Sequence, residues 1–170
     1  MTNNLYKLSA NKWYWIGLLL LGIASEGIAL FYQYVLEYPP CVLCIHTRIW
    51  LLGIIIVSLL ALQFYKSRTG LPIIQLLIII LSAGLLERSY QLFGVERGFI
   101  MGNCSMESGL PAWFALDEWL PLVFQVQEPC GYTPELFFGI TMAEALIAVS
   151  LLLLLTAVLL FLATILAKRT

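Results

Sequence analysis

Four apolar stretches, residues 15–35, 45–64, 71–92 and 140–166, constrain this chain more than any other feature. Each is near or above the ~20 residues that a helix needs to cross hydrocarbon. Backbone polar groups must be paired internally in lipid, so stretches of this length are expected to be helices. Composition agrees. Of 170 residues, 61% are apolar and 11% charged, with a mean hydropathy of +0.93; a soluble domain runs nearer 45–50% apolar and about 25% charged. The expected fold is an all-α membrane protein, a single four-span bundle over residues 1–170. Lys7 and Lys12 precede the first stretch as they would in a signal peptide, but it is too long and lacks a small-residue cleavage pattern. A net charge of −1 argues against bulk nucleic-acid binding and against a polybasic lipid tether.

Orientation follows from the connecting segments. Lys7, Lys12, Lys66, Arg68, Lys168 and Arg169 fall on one side of a four-span arrangement, and the opposite loops carry only Arg97. Lys and Arg accumulate on the cytoplasmic side, so both termini are expected there, with loops 36–44 and 93–139 facing outward. Tyr14, Trp15, Tyr32, Tyr34, Trp50, Tyr65 and Tyr90 suit interfacial aromatic belts.

All four cysteines, Cys41, Cys44, Cys104 and Cys130, lie in the two outward loops. Disulfides persist outside the reducing cytosol, so location and compartment agree. Four cysteines allow three full pairings. Cys41–Cys44 with Cys104–Cys130 is the natural choice, because spacing holds the first two together. In Pro39-Pro40-Cys41-Val42-Leu43-Cys44 the prolines set an extended approach to a helix start. Cys44 then falls in the first turn, where unpaired N–H groups stabilise a thiolate. Arg48, four residues on, shares its helix face and adds a fixed positive charge. A structural clip is a weaker reading, since so short a ring stabilises little. A metal site is another; His46 is near, but zinc would need further ligands from Cys104 and Cys130. Arg48 could also snorkel toward headgroups. The Cys104–Cys130 pair closes a longer loop, in which a structural staple would contribute roughly 3 kcal/mol.

The second outward loop is acidic, with Glu96, Glu107, Asp117, Glu118, Glu128 and Glu135 against Arg97. Between Pro111 and Pro121, the residues Trp113, Leu116 and Leu120 share a helical face. One short helix lying on the membrane is expected there, limited by Pro121 and leaving Cys104 and Cys130 mobile. Inside the spans, Glu26 is expected to face the bundle interior. Arg88 is expected to bind a polar headgroup or to pair with a carboxylate. Gly17, Ala24, Gly53, Ser82, Ala83 and Gly84 would let helices approach closely.

Together these features resemble the disulfide bond formation protein B (DsbB) family. The resemblance covers most of the chain. It rests on the four spans, the Pro39–Cys44 motif with Arg48 in Cys-x-x-x-Arg spacing, the Cys104/Cys130 pair, Trp113 through Phe124, and the Phe138-Gly139-Ile140-Thr141-Met142 lead-in to the last span. It implies a bacterial inner-membrane protein-dithiol:quinone oxidoreductase. The partner would be DsbA, a soluble periplasmic thioredoxin-fold oxidant, and the cofactor ubiquinone or menaquinone. By position, Cys104 would form the mixed disulfide with the partner and Cys130 would resolve it. Cys41 would exchange between the pairs, and Cys44 would face the quinone. Arg48 would stabilise negative charge, with Arg88 and Met142 completing the quinone site. Many members carry a His near the end of the third span; here Glu87-Arg88-Ser89-Tyr90-Gln91 has none, which makes Arg88 the substitute candidate. Ala143 stands where a Pro often follows the Met. Thermodynamics agrees with a quinone, since reoxidising a DsbA at about −120 mV needs a more positive acceptor.

Two other readings compete, beside a metal-binding permease, whose paired His and carboxylates the spans lack. A vitamin K epoxide reductase-like protein is also four-helical, but usually has its CxxC late in the chain. A four-span structural protein with disulfide-braced loops predicts inert cysteines.

Overall fold

The computed structural model describes residues 2–67, 69–101, 107–130, 133–137 and 139–169. Arg68 and Cys104 therefore lie outside the described residues. Four helices are long and apolar enough to cross a membrane: α2 (Lys12–Tyr34), α3 (Val42–Phe64), α4 (Gly70–Glu96) and α7 (Met142–Arg169). They form the expected four-span bundle, with α3 packed between α2 and α4 and α4 against α7. One core cluster joins Trp15 and Leu18 of α2, Ile54 and Ala61 of α3, Leu71 and Ile78 of α4, and Leu153 and Ala157 of α7. Leucine and isoleucine also cover the outer surface, as at Leu20, Ile56, Ile80 and Leu152, all exposed in the isolated chain. Helices apolar all round belong in a lipid solvent.

The ends of the helices are set locally. The Asn11 side chain accepts from the Trp13 N–H at 3.1 Å and starts α2. At α3 the capping atom is a sulfur: Cys41 Sγ accepts from the Cys44 N–H at 3.3 Å. The Ser67 hydroxyl accepts from the Gly70 N–H at 3.1 Å. The last helix begins two residues later than expected, because Ile140–Thr141 forms strand β2, paired antiparallel with β1 (Glu135–Phe137).

Several expectations need correction. A short helix, α1 (Thr2–Ser9), precedes the first span and packs along α7. Trp15 is not interfacial: it is 1% exposed, with its indole N–H donating to the Ser9 carbonyl at 2.9 Å. The α1 segment covers it, and Trp13 is the exposed indole instead. Small residues serve packing only in part. A Cβ on Gly53 would meet Leu81 at 2.9 Å, and one on Gly84 would meet the Trp50 ring at 2.7 Å. Ser82 is fully buried, but Gly17 has open space and Ala24 and Ala83 face outward.

The single loop helix is also replaced, by three short turns: a 3-10 turn at Ala112–Phe114, α5 (Leu116–Trp119) and α6 (Pro121–Phe124). Non-helical angles at Ala115 (ψ 68°) and Leu120 (ψ 61°) separate them. The residue before a proline is pushed out of the helical region, which accounts for Leu120, and Pro121 opens a turn rather than closing one. Leu116 is buried, whereas Trp113 and Leu120 are exposed, so the three do not share a face.

Candidate functional site

The site lies where loop 36–41, the start of α3, the second loop and the start of α7 meet. Pro40 and Cys41 are buried, and the backbone at Cys41 is extended (φ −84°, ψ 168°) before α3 begins. The N–H groups of Gln127 and Glu128 donate to the Pro40 carbonyl at 3.0 and 3.4 Å, and Cys41 pairs with Glu128 in a short parallel bridge. These bonds deliver Cys130 to the first cysteine pair. Cys130 packs into a cluster of Cys41, Val42, Leu43, Leu92 and Ala143, with Cys44 alongside. The expected partner of Cys130, Cys104, is outside the described residues; what is seen is Cys130 brought to Cys41.

The Cys41 thiol titrates above the ordinary thiol range. The hydrogen bond with Cys130 pulls it down, but the hydrogen bond with Cys44 and burial outweigh that pull.

Arg48 lies one turn below Cys44 and is 5% exposed. Its Nη1 donates to Gln33 Oε1 at 2.6 Å and to the Val123 carbonyl at 2.9 Å, and its Nη2 donates to the Ala29 carbonyl at 3.1 Å. All three acceptors are uncharged. A guanidinium has five N–H donors, so two remain for other partners. Gln33 was not singled out from the sequence, although a polar residue in an apolar span is a usable signal. Its Nε2 donates to the Leu122 carbonyl at 3.2 Å, and the Tyr34 hydroxyl donates to the same carbonyl. Loop turn α6 is thereby fastened to α2 and to Arg48.

Cys44, Thr47 and Arg48 line an apolar cavity of about 150 Å³ together with Ser25, Ala29, Leu92, Met142, Leu146 and Val149. Met142, at the start of α7, thus shares a cavity with Cys44 and Arg48. Arg88 is elsewhere: its Nε pairs with Glu87 at 3.1 Å and its Nη1 donates to Gln91 at 3.2 Å. With His46 it borders a separate cleft on the other side of α3. His46 Nε2 lies 2.8 Å from the Ser108 carbonyl. Glu26 is half-buried, with its Oε1 enclosed and lacking a hydrogen-bond partner among the described residues.

Comparison with known proteins identifies the family. The family profile described as disulfide bond formation protein DsbB matches residues 11–160. The chain is 32% identical over 135 residues to disulfide bond formation protein B 2 of Pseudomonas aeruginosa, covering 78% of this chain and 80% of that one. It is 30% identical over 141 residues to disulfide bond formation protein B of Shewanella loihica, covering 82% of each. The Photorhabdus laumondii protein of the same name is 28% identical over 137 residues, covering 79% of this chain and 80% of its own. With four apolar helices, a CxxC at the head of the second and a loop cysteine against it, the chain belongs to the DsbB family of disulfide bond formation proteins.

Proposed function

We propose that the chain works as a single four-span unit of the bacterial inner membrane. It oxidises a periplasmic thioredoxin-fold dithiol of the DsbA type and passes two electrons to a membrane quinone, ubiquinone or menaquinone. The observation that carries this reading is the cavity shared by Cys44 and Arg48. A cavity of about 150 Å³ is the size that accepts a benzene ring in other proteins. Its walls are apolar, and one buried cation with spare N–H donors stands beside a cysteine. That donor set fits a flat apolar ring bearing carbonyl oxygens, held by Cys44, Thr47, Arg48 and Met142. When bound, a quinone supplies a two-electron, two-proton acceptor.

The chain's own residues supply the thiol chemistry. A thiolate of the partner attacks the Cys104–Cys130 disulfide at Cys104, and Cys130 leaves with the electron pair. Cys130, held against Cys41 by the backbone bonds to Pro40, then attacks the Cys41–Cys44 disulfide at Cys41 and displaces Cys44. The partner's second thiolate frees Cys104 from the mixed disulfide, Cys104 re-forms its bond to Cys130, and Cys41 is released, so that the electron pair rests on Cys41 and Cys44. The departing charge falls on Cys44, at the head of α3 and one turn from Arg48. Cys41 suits the other role: its thiol holds its proton strongly, so it is the poorer leaving group. The lysines at the opposite end of the bundle support cytoplasmic termini and cysteines on the periplasmic side.

The test uses the purified chain in detergent, a reduced DsbA-type dithiol, and anaerobic reduction of ubiquinone-1 and menadione followed by absorbance. Turnover is expected with the parent chain and lost in Cys44→Ser. No turnover by folded protein with several such donors would overturn the proposal in favour of disulfide-braced loops.

A further inference from the structure

Arg48 is a buried cation whose three hydrogen-bond acceptors are all neutral, although its helix neighbour offers a carboxyl. On α2, Glu26, Ala29 and Gln33 follow one another at spacings of three and four and so share one helix face. Ala29 and Gln33 both take bonds from the guanidinium. Glu26 is close enough to act on Arg48 electrostatically, yet its Oε1 has no hydrogen-bond partner among the described residues. The contact that could have been an ion pair is made by an amide.

We propose that Gln33 is a positioning residue of the cavity: it holds the Arg48 guanidinium beside Cys44 through a neutral acceptor, leaving the positive charge available to negative charge formed there. This rests on reading the cavity as the place where electrons leave Cys44.

Both ends of the amide are used. The carbonyl oxygen must face the arginine, which only donates, and the NH₂ must face the Leu122 carbonyl, which only accepts. No other assignment of the amide satisfies both neighbours. Gln33 is 7% exposed, so water does not replace either bond. A glutamate has the same shape, but it would neutralise Arg48 and lose the bond to Leu122. A methionine fills the same volume while leaving the guanidinium and the carbonyl each short of a partner. Cys44, Cys41 and Tyr34 are the other ionisable groups besides Glu26 that act on Arg48. After Glu26, the charge that Gln33 leaves unspent acts most strongly on Cys44.

The experiment uses the full-length chain, quinone-depleted and reduced, in detergent. Iodoacetamide labelling at Cys44 is followed at pH 7 by peptide mass spectrometry, beside turnover with ubiquinone-1. In Gln33→Glu, Cys44 labelling is expected to slow about tenfold, the effect of offsetting one neighbouring charge by about one pKa unit. In Gln33→Met, labelling is expected to slow about threefold while KM for ubiquinone-1 rises more than kcat falls. A role confined to fastening α6 would leave Cys44 labelling unmoved. A labelling rate within about twofold of the parent in either folded variant overturns the assignment. Should Gln33→Glu not fold, Gln33→Met decides alone. If the parent chain shows no quinone turnover but Gln33→Glu still slows labelling, the positioning role stands and the quinone reading falls.

Discussion

Glu96 at the end of α4 gathers the loop that carries Cys130, and its removal should be felt at the cysteines. One carboxylate oxygen, Oε2, accepts from Thr133 Oγ1 at 2.6 Å and from Thr141 Oγ1 at 3.2 Å. Thr133 is three residues beyond Cys130 and 3% exposed. Hydrogen bonds to a charged group contribute about 1.5–3 kcal/mol each. The low end applies to a loop at the membrane surface, giving roughly 3 kcal/mol for the two, or about a hundredfold in an equilibrium constant. The backbone bonds from Gln127 and Glu128 to Pro40 remain, so Glu96→Ala should weaken loop docking by about ten- to a hundredfold without unfolding the bundle. The assay is the effective concentration of Cys41 and Cys130 in a Cys44→Ser, Cys104→Ser chain, measured by titration against glutathione. Thr133→Val, which removes one of the two bonds, should lower it about tenfold. An effective concentration in Glu96→Ala within about twofold of the parent would show that Glu96 does not hold Cys130 in place.

Further consequences concern the cysteine pair and the packing. Because Cys41 in the folded, reduced chain holds its proton more tightly than an unfolded thiol, its contribution to stability is intact below about pH 8.5 and lost as pH rises above that. Thermal unfolding of the reduced chain should therefore weaken between pH 8 and pH 10 more steeply than that of Cys41→Ser, and parallel curves would contradict this. Gly84→Ala places a Cβ 2.7 Å from the Trp50 ring. It should lower stability by about 1–3 kcal/mol, seen as reduced Tm in detergent. Gly17→Ala has nothing within 4 Å and should not lower Tm. Trp15→Phe deletes the indole bond to Ser9 and should cost about 1 kcal/mol. It should also speed proteolysis at the N-terminal helix, while cysteine labelling stays as in the parent.

What one-dimensional reading determines here is whatever depends on local composition. Span length and helical state follow from apolar runs, and the placing of Cys44 and Arg48 one turn apart follows from a period of 3.6 residues; α3 carries both, with Cys41 as its cap. The turns between Pro111 and Phe124 were only half legible. Their apolar spacing matched one helix, but the backbone restriction that Pro121 places on Leu120 prevails over periodicity. At Trp15 an aromatic near a span end suits an interface as well as a core, and only the packing of α1 decides between them. The site beyond its cysteines belongs to tertiary structure. Gln33 stands 15 residues before Arg48, and Val123 stands 75 after it. No spacing rule connects positions that meet only when two helices and a loop pack. Arg88 shows the converse. It pairs with Glu87 and Gln91 of its own helix, local partners at spacings of one and three, while the cleft that it borders with His46 forms only once α3 and α4 pack.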